Sequence, residues 1–420
     1  MKDYFTSETF SVVRIRNFRL FLAYRFFMTC AILMQAVIVG WQLYDLTKDP
    51  LSMGMIGLTE VIPQVSIALF AGHFVDIWDR KLIIFRTSFL LLIGSAILLG
   101  STINSEYTSF LTGTIPIFVT IFLVGLVRGI LMPAHTALLG QLVPRELLTR
   151  AATWGSTVWQ VAAVTGPALG GLMYGFFGIV PAYVLVFTFF LTCVIIIYFI
   201  KSPGKVIQHP DRDERIFASI SEGIRYVFKN QILLGAFSLD MFAVLFGGAI
   251  AMLPVFASEI LKVGPQGLGV LRACPAIGAI VMSVILTFYP PLKRSGRQML
   301  FSVAGFGICI FVFALSRNFY LSAGVLLLSG SFDFVSVVIR SSILQLFTSN
   351  EMKGRVSSVN SIFIGSSNEL GAFESGAAAS LMGLVSSVVF GGVMTLVVVG
   401  VAAVVAPKLR GMSLKDHSVD

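Results

Sequence analysis

Charge is scarce in this sequence. Acidic and basic residues together make up 12% of its 420 residues, about half the share found in soluble domains. With 56% apolar residues and a mean hydropathy of +0.90, that scarcity excludes an ordinary water-soluble globule. Cysteine is nearly absent too. The four present (Cys30, Cys193, Cys274, Cys309) all fall inside apolar runs without metal-ligand spacing, so neither a disulfide framework nor a metal site is expected. A Gly-x-x-x-x-Gly-Lys-Ser/Thr loop is missing, which removes an ATP-driven engine of that type. Four histidines (His73, His135, His209, His417) form no nucleophile–base–acid set, so no enzyme and no cofactor is expected; His73 and His135 read as solvated residues flanking an interface. Acid is scarcer than base, giving a net charge of +9. The bases are dispersed among connectors rather than gathered on one face, which argues against nucleic acid as a partner. Alternating apolar segments of about ten residues are lacking, so an outer-membrane barrel is not expected. Met1 to Phe18 is polar and basic and the first apolar run is too long for one, so no cleavable leader is expected.

What the sequence has in abundance is apolar runs near the length of about 20 residues that spans a bilayer. Twelve are expected, at approximately 20–45, 52–73, 83–102, 115–140, 153–176, 180–200, 231–256, 267–289, 299–316, 319–345, 356–382 and 386–406. The fold class is therefore an all-α polytopic membrane protein with twelve transmembrane helices in two six-helix bundles. The long connector suggests the division 1–200 for the first bundle, 201–230 for a linker and 231–420 for the second bundle. Within the linker, Ile216 to Phe228 has the periodicity of an amphipathic helix lying on the membrane surface. Bases orient the whole. Twenty-three fall in connectors on one side, and only Lys48, Lys262 and Arg317 on the other. Since bases concentrate in cytoplasmic loops, both termini are expected in the cytoplasm.

The two halves resemble each other. Glu146-Leu147-Leu148-Thr149-Arg150 recurs as Glu351-Met352-Lys353-Gly354-Arg355 at an offset of 205. The polar knot Gly72-His73-Phe74-Val75-Asp76-Ile77-Trp78-Asp79-Arg80-Lys81, read as a tight turn, has a counterpart in Pro291 to Arg297 that keeps the bases and loses the acids. Like halves of this kind are a transporter architecture.

Ionisable residues inside the spans cost at least a few kcal/mol each and mark a polar cavity or a partner. They are Arg25, Arg128, Arg272 and Arg340 against Asp45, Glu60, Asp240, Asp333, Glu369 and Glu374. Arg128 and Asp333 are related by the same offset of 205. Asp240 and Arg340 fall at one depth and are expected to be able to pair. A carboxylate in a low-dielectric interior favours its protonated form, so Asp240, Asp333, Glu369 and Glu374 are candidates for carrying a proton. Span five contains Gly166-Pro167-Ala168-Leu169-Gly170-Gly171, a bend and close-packing site. Gln35, Trp41 and Gln42, with Arg25, are candidates for lining a cavity or anchoring at the interface.

These residues resemble the major facilitator superfamily over nearly the whole chain. Gly72, Asp76, Arg80 and Lys81 match its signature between the second and third helices, with Asp79 standing where glycine is usual. Arg128 is similar to the fourth-helix arginine tied to proton coupling. Gly166, Pro167, Gly170 and Gly171 resemble the fifth-helix antiporter motif, with Ala162 in place of its leading glycine. Closer similarity is to the branch of siderophore exporters and secretion effectors, on Gln35 to Thr47, Gly354-Arg355-Val356 and Ser366 to Gly376. The resemblance implies a proton-coupled antiporter exporting a siderophore or drug-like amphiphile from a bacterial inner membrane. It implies a monomer whose partners are small-molecule substrate, protons and lipid. It also implies a conformational latch at Gly72, Asp76, Arg80 and Lys81; with Arg128, the buried charges Asp240, Asp333, Arg340, Glu369 and Glu374 are the proton-coupling or cavity candidates. The alternative is an importer or facilitator of the same fold for a small solute or metal.

Overall fold

The structure is a computed structural model describing residues 11–103, 113–201, 216–349 and 351–417, with backbone alone at some helical positions, among them Gly72, His73 and Asp76. Each of the twelve expected segments is helical. We label the helices α1 (Arg16–Thr47), α2 (Pro50–Ile77), α3 (Arg80–Thr102), α4 (Ile115–Leu142), α5 (Leu148–Phe177), α6 (Ile179–Phe199), α7 (Ile216–Lys229), α8 (Gln231–Phe246), α9 (Pro265–Phe288), α10 (Ser295–Leu315), α11 (Phe319–Leu346), α12 (Lys353–Met382) and α13 (Leu384–Val405). Among the described residues ten segments are long and apolar enough to cross a membrane; the thirty-residue helices α5 and α12 are not among them. Their polar content explains this: α12 alone carries Glu369, Glu374, Asn368 and several serines.

Helix ends follow local chemistry. Asn230 and Asn318 cap α8 and α11 by accepting from the second and third backbone N–H groups of each helix, at 2.9–3.3 Å. One expected span is broken. Segment 231–256 does not run as a single helix, because α8 stops at Phe246 before Gly247-Gly248. A short 3-10 turn (Gly248–Ile250) and a π-helical turn (Phe256–Ile260) carry the chain onward. At Gly248 a side chain would collide with the Gly371 carbonyl of α12, so the break and the close approach coincide.

The internal repeat extends into the backbone. Helices α5 and α12 have the same bounds at an offset of 205. Each ends on a glycine with positive φ, Gly178 at +88° and Gly383 at +87°, a conformation that only glycine adopts without strain. Lys48 before α2 and Lys262 before α9 likewise share φ near +50°.

The chain divides into two compact units, one holding Met1–Leu46 with Ile62–Pro210, the other Thr47–Val61 with Asp211–Asp420. In the first unit, α1 lies against α5 at Gly166 and Gly170, where a Cβ would press on Cys30 and Met34 backbone atoms. The equivalent contact in the second unit sets Gly371 of α12 on Val244 and Leu245 of α8. Small residues let these helix pairs approach closely without a water-driven hydrophobic force.

Helix α7 has one edge docked on protein, a contact that the sequence does not indicate. Val227 is buried in the core of the second unit, Gly223 sits against the Arg355 backbone, and the Tyr226 hydroxyl donates to the Phe347 carbonyl (3.3 Å). Glu222 pairs with Arg355. Ile224 and Phe228 remain exposed on the adjoining edge. The periodicity marks an apolar face, but it cannot distinguish lipid from protein as the surface that covers it.

Candidate functional site

The polar knot is less of a turn than the sequence suggests. Gly72 and Asp76 lie within helix α2, which runs on to Ile77; their side chains lie outside the described residues. Only Trp78 and Asp79 separate α2 from α3. Asp79 caps α3, its carboxylate accepting from the Lys81 N–H at 2.8 Å. The departure from the usual glycine is thereby explained: an N-cap acid replaces a flexible joint. Asp79→Ala is expected to cost about 1 kcal/mol and Asp79→Gly only a few tenths; thermal unfolding of the purified protein measures both. Arg80 donates to the Ala137 carbonyl of α4 (3.3 Å), and Lys81 to the Tyr198 carbonyl at the end of α6 (2.9 Å). The two bases are thus bound to helix carbonyls of their own unit, and Lys81 also meets the negative end of the α6 dipole.

Among the candidate cavity residues, Gln42 accepts from the Tyr183 hydroxyl at 2.5 Å, which fixes it between α1 and α6. Gln35 is buried and its Oε1 has no hydrogen-bond partner. Trp41 and Arg25 are half-buried. Arg25 lies beside Gly155 of α5, where a Cβ would stand 2.9 Å from its guanidinium. Arg128 is half-buried on α4, next to Gly129, whose missing side chain lets α4 approach the Gln64 carbonyl and Ile67 of α2. Gly166, Pro167, Gly170 and Gly171 are all buried, with Gly166 and Gly170 forming the α1–α5 contact already described.

The first unit holds one arrangement that sequence reasoning missed. His135, expected to be solvated, is buried on α4 and packed edge-on by Phe21 and Tyr24. The Ser88 hydroxyl has the Ile84 carbonyl at 2.6 Å as its acceptor. Ser88 therefore accepts from the Tyr24 hydroxyl (3.0 Å), and Tyr24 in turn accepts from His135 Nε2 across a long 3.5 Å contact. A lone histidine near a span end carries no sequence signal of burial; only the packing of α1 and α3 around α4 supplies it.

The second unit brings together two of the expected residues. Asp240 of α8 and Arg340 of α11 form an ion pair, both buried at 5% exposure. Asp333, seven residues before Arg340 on α11, is half-buried and makes no hydrogen bond or ion pair among the described residues. Glu374 accepts from the Ser375 hydroxyl at 3.4 Å. Glu369 and Glu60 of α2, both among the ionisable residues expected inside the spans, are the carboxylates acting electrostatically on Arg272 of α9. Asp45 is exposed. Among the described residues no three His, Cys, Asp or Glu side chains gather as a metal site. A crevice of about 240 Å³ in the second unit is lined by Leu286, Tyr289, Phe301 and Phe332 and contains no ionisable group of the candidate set.

Comparison with known proteins gives a consistent answer. The profile of the transmembrane secretion effector family matches residues 7–419. The chain is 28% identical over 208 residues to the uncharacterized MFS-type transporter YkuC of Bacillus subtilis, covering 47% of this chain and 46% of that protein. It is 23% identical over 291 residues to YfiS of the same organism, an uncharacterized MFS-type transporter, covering 64% and 67%. The match thus spans about half the length of YkuC and two thirds of YfiS. Among solved structures, a bacterial homologue of the iron transporter ferroportin in an inward-facing state superposes with a TM-score of 0.69 at 18% identity, covering 94% of this chain and 99% of that one. A POT family transporter in complex with 5-aminolevulinic acid gives 0.72 at 10% identity, covering 94% and 96%. At these identities the likeness is one of fold.

Proposed function

Because the chain belongs to the transmembrane secretion effector family of the major facilitator superfamily, whose members are membrane transporters and not enzymes, we propose that it is a proton-coupled exporter of a small organic molecule, a siderophore or drug-like amphiphile. In this reading it sits in a bacterial inner membrane as a monomer, with both termini in the cytoplasm. It works by alternating access of two bundles, 1–200 and 231–420, joined by the linker 201–230.

The observation that carries proton coupling is the set of ionisable side chains held inside the helices of the second unit. Asp240 and Arg340 neutralise each other. Asp333 on the same α11 face has no such partner among the described residues, and an unpaired carboxylate in a low-dielectric helix bundle is a group that takes and gives a proton. Arg128, at the corresponding sequence position in the first half, supplies a positive charge for an anionic substrate. The latch role of Asp76 with Gly72, Arg80 and Lys81 belongs to the same reading. Its support is the rigid seating of Arg80 and Lys81 on helix carbonyls, which leaves the α2–α3 corner able to move only as a unit.

Inverted membrane vesicles test the proposal. With a pH gradient reported by acridine orange quenching, addition of an exported substrate is expected to reverse the quench in wild-type vesicles and not in Asp333→Asn vesicles. Ethidium and a catecholate siderophore are the probes. Uptake of either probe that persists unchanged after the gradient is collapsed overturns proton coupling; net flux in the opposite direction under an imposed gradient overturns export.

A further inference from the structure

The second-half counterpart of the polar knot, Pro291 to Arg297, is strapped down by the C-terminal segment. The Gly296 N–H donates to the Met412 carbonyl (3.2 Å), the Lys415 N–H to the Leu292 carbonyl (3.0 Å) and the Leu414 N–H to the Ser295 hydroxyl (3.2 Å). Leu409, Met412 and Leu414 are buried, and a Cβ on Gly296 would lie inside the Leu409 carbonyl. Two stretches far apart in sequence thereby bring their bases into one region of surface. The connector gives Lys293, Arg294 and Arg297, the strap Lys408, Arg410 and Lys415, and all six are exposed. No acidic residue occurs within 288–302 or 406–415; Asp416 is the first to follow. In the first-half knot Arg80 and Lys81 are taken by helix carbonyls. The side chains of Lys293, Arg294 and Arg297 make no hydrogen bond or ion pair among the described residues.

The same connector forms the rim of the crevice of about 240 Å³ between α9, α10 and α11. Pro291 and Gln298, which bracket the three connector bases, line it along with Tyr289, Phe301 and Phe332. It opens outward, because Tyr289 is 77% exposed and Phe301 74%. Phe301 shares its face of α10 with Ile308 and Leu315, both exposed, and that face is the stripe a spanning helix turns to lipid. Arg297 lies one turn before Phe301 on the same stripe, where the apolar span ends and headgroups begin. Pockets that enclose a drug-sized ligand run to about 300–1,000 Å³; this crevice is smaller and open along one side, which suits a length of hydrocarbon chain. Asp333 follows Phe332 in sequence but faces about 130° away around α11 from the Phe332 and Val335 side that lines the crevice.

An apolar crevice open to a bilayer is filled by an acyl chain, since an empty gap forfeits the dispersion contacts of its lining. The chain brings its own headgroup to the mouth, and the bases there decide which headgroup stays. We infer that this crevice and the bases on its rim bind one anionic phospholipid, with its phosphate on Lys293, Arg294 and Arg297 and one acyl chain against Tyr289, Phe301 and Phe332. The strap bases add to the positive field and are not needed for the contact itself. A zwitterionic lipid fills the crevice equally well but brings no net charge to the rim. The site involves neither transported substrate nor proton gradient, so it stands or falls apart from the exporter reading.

Native mass spectrometry of the purified full-length protein reads the site, with dioleoylphosphatidylglycerol and dioleoylphosphatidylcholine titrated separately in detergent. The first phosphatidylglycerol is expected to bind about tenfold tighter than the first phosphatidylcholine, or more, because each base at a membrane surface is worth about fivefold toward an anionic lipid. Lys293→Gln, Arg294→Asn and Arg297→Gln together abolish that preference; asparagine is chosen at 294 because it tolerates the left-handed backbone there, φ +52°. Arg14→Gln, Arg16→Gln and Arg19→Gln remove the same charge from exposed positions of the first unit and leave the preference intact. Phe301→Ala takes away one wall of the crevice, weakens both lipids alike and keeps their ratio. All these side chains are exposed, so the fold tolerates the changes. Glycerol 3-phosphate, at the concentration where the lipid saturates, displaces nothing. The inference is overturned by a wild type that does not discriminate, by a preference that survives the connector variant, or by equal loss in the first-unit variant, which would make net charge the cause. Unchanged binding of both lipids to Phe301→Ala would remove the crevice from the site, and displacement by glycerol 3-phosphate would make the ligand a soluble anion; either result also overturns it.

Discussion

Asp240→Leu alone, or Arg340→Leu alone, is expected to destabilise the protein by about 3–5 kcal/mol, while Asp240→Leu with Arg340→Leu recovers most of that loss or exceeds the wild type. The asymmetry follows from where the pair sits. Both side chains are buried between α8 and α11, so removing one leaves the other charge without solvent and without a partner. Removing both leaves only a volume to be filled, and leucine fills it. Unfolding of the purified protein in a detergent series, followed by thermal melts, gives the three values. Two destabilised single variants with a near-neutral double variant mark a compensated buried pair. Three equal losses would show instead that the pair contributes through shape and hydrogen bonding, and would overturn the charge argument. The same variants separate stability from coupling: a double variant that folds well but exports nothing assigns the pair to the transport cycle.

Gly330→Ala is expected to be among the most damaging single-methyl additions in the chain, at or above the upper end of the about 1–3 kcal/mol typical of overpacking. A Cβ at Gly330 would lie inside the Pro275 backbone, and one at Gly278, across the same α9–α11 contact, inside the Leu327 carbonyl. Neither neighbour is a flexible side chain that can turn away. The Ser331 hydroxyl sits 3.1 Å from both the Gly278 and Leu327 carbonyls, which marks how close the two backbones run. Gly324→Ala, on the same helix but with nothing within 4 Å, is the control. It is expected to be neutral or to gain up to about 1 kcal/mol, because alanine is the better helix former. Equal behaviour of Gly324→Ala and Gly330→Ala would mean that helix propensity, and not the α9–α11 approach, sets the cost.

Much of this was legible in the order of residues. Helix existence came from apolar length, and the repeat came from Glu146-x-x-x-Arg150 recurring at Glu351-x-x-x-Arg355. The positive-φ glycines 178 and 383 then fell at that same offset. Asp240 and Arg340 were legible as one depth, because helix rise converts residue number into distance along the membrane normal. Rotation around each helix was not legible to the same degree. Asp333 shares the Arg340 stripe yet lies outside the ion pair, and depth alone did not single out Glu369 as a carboxylate acting on Arg272.

What the sequence by itself determined is therefore one-dimensional: which segments are helices, where they start, how deep each charge lies, and that the two halves are copies of one plan. Period and hydropathy are local properties, and they act before any helix meets another. Tertiary structure alone decided the contacts. It buried His135 under Phe21 and Tyr24, turned one edge of α7 onto protein, and split α2 so that Gly54 and Gly57 joined α12. The physical reason is the same in each case. Inside a bilayer the hydrophobic effect does not choose between lipid and a neighbouring helix, so partners are selected by small-residue fit and by the need to neutralise buried charge. Both are properties of two surfaces brought together, and neither can be read from one strand of sequence.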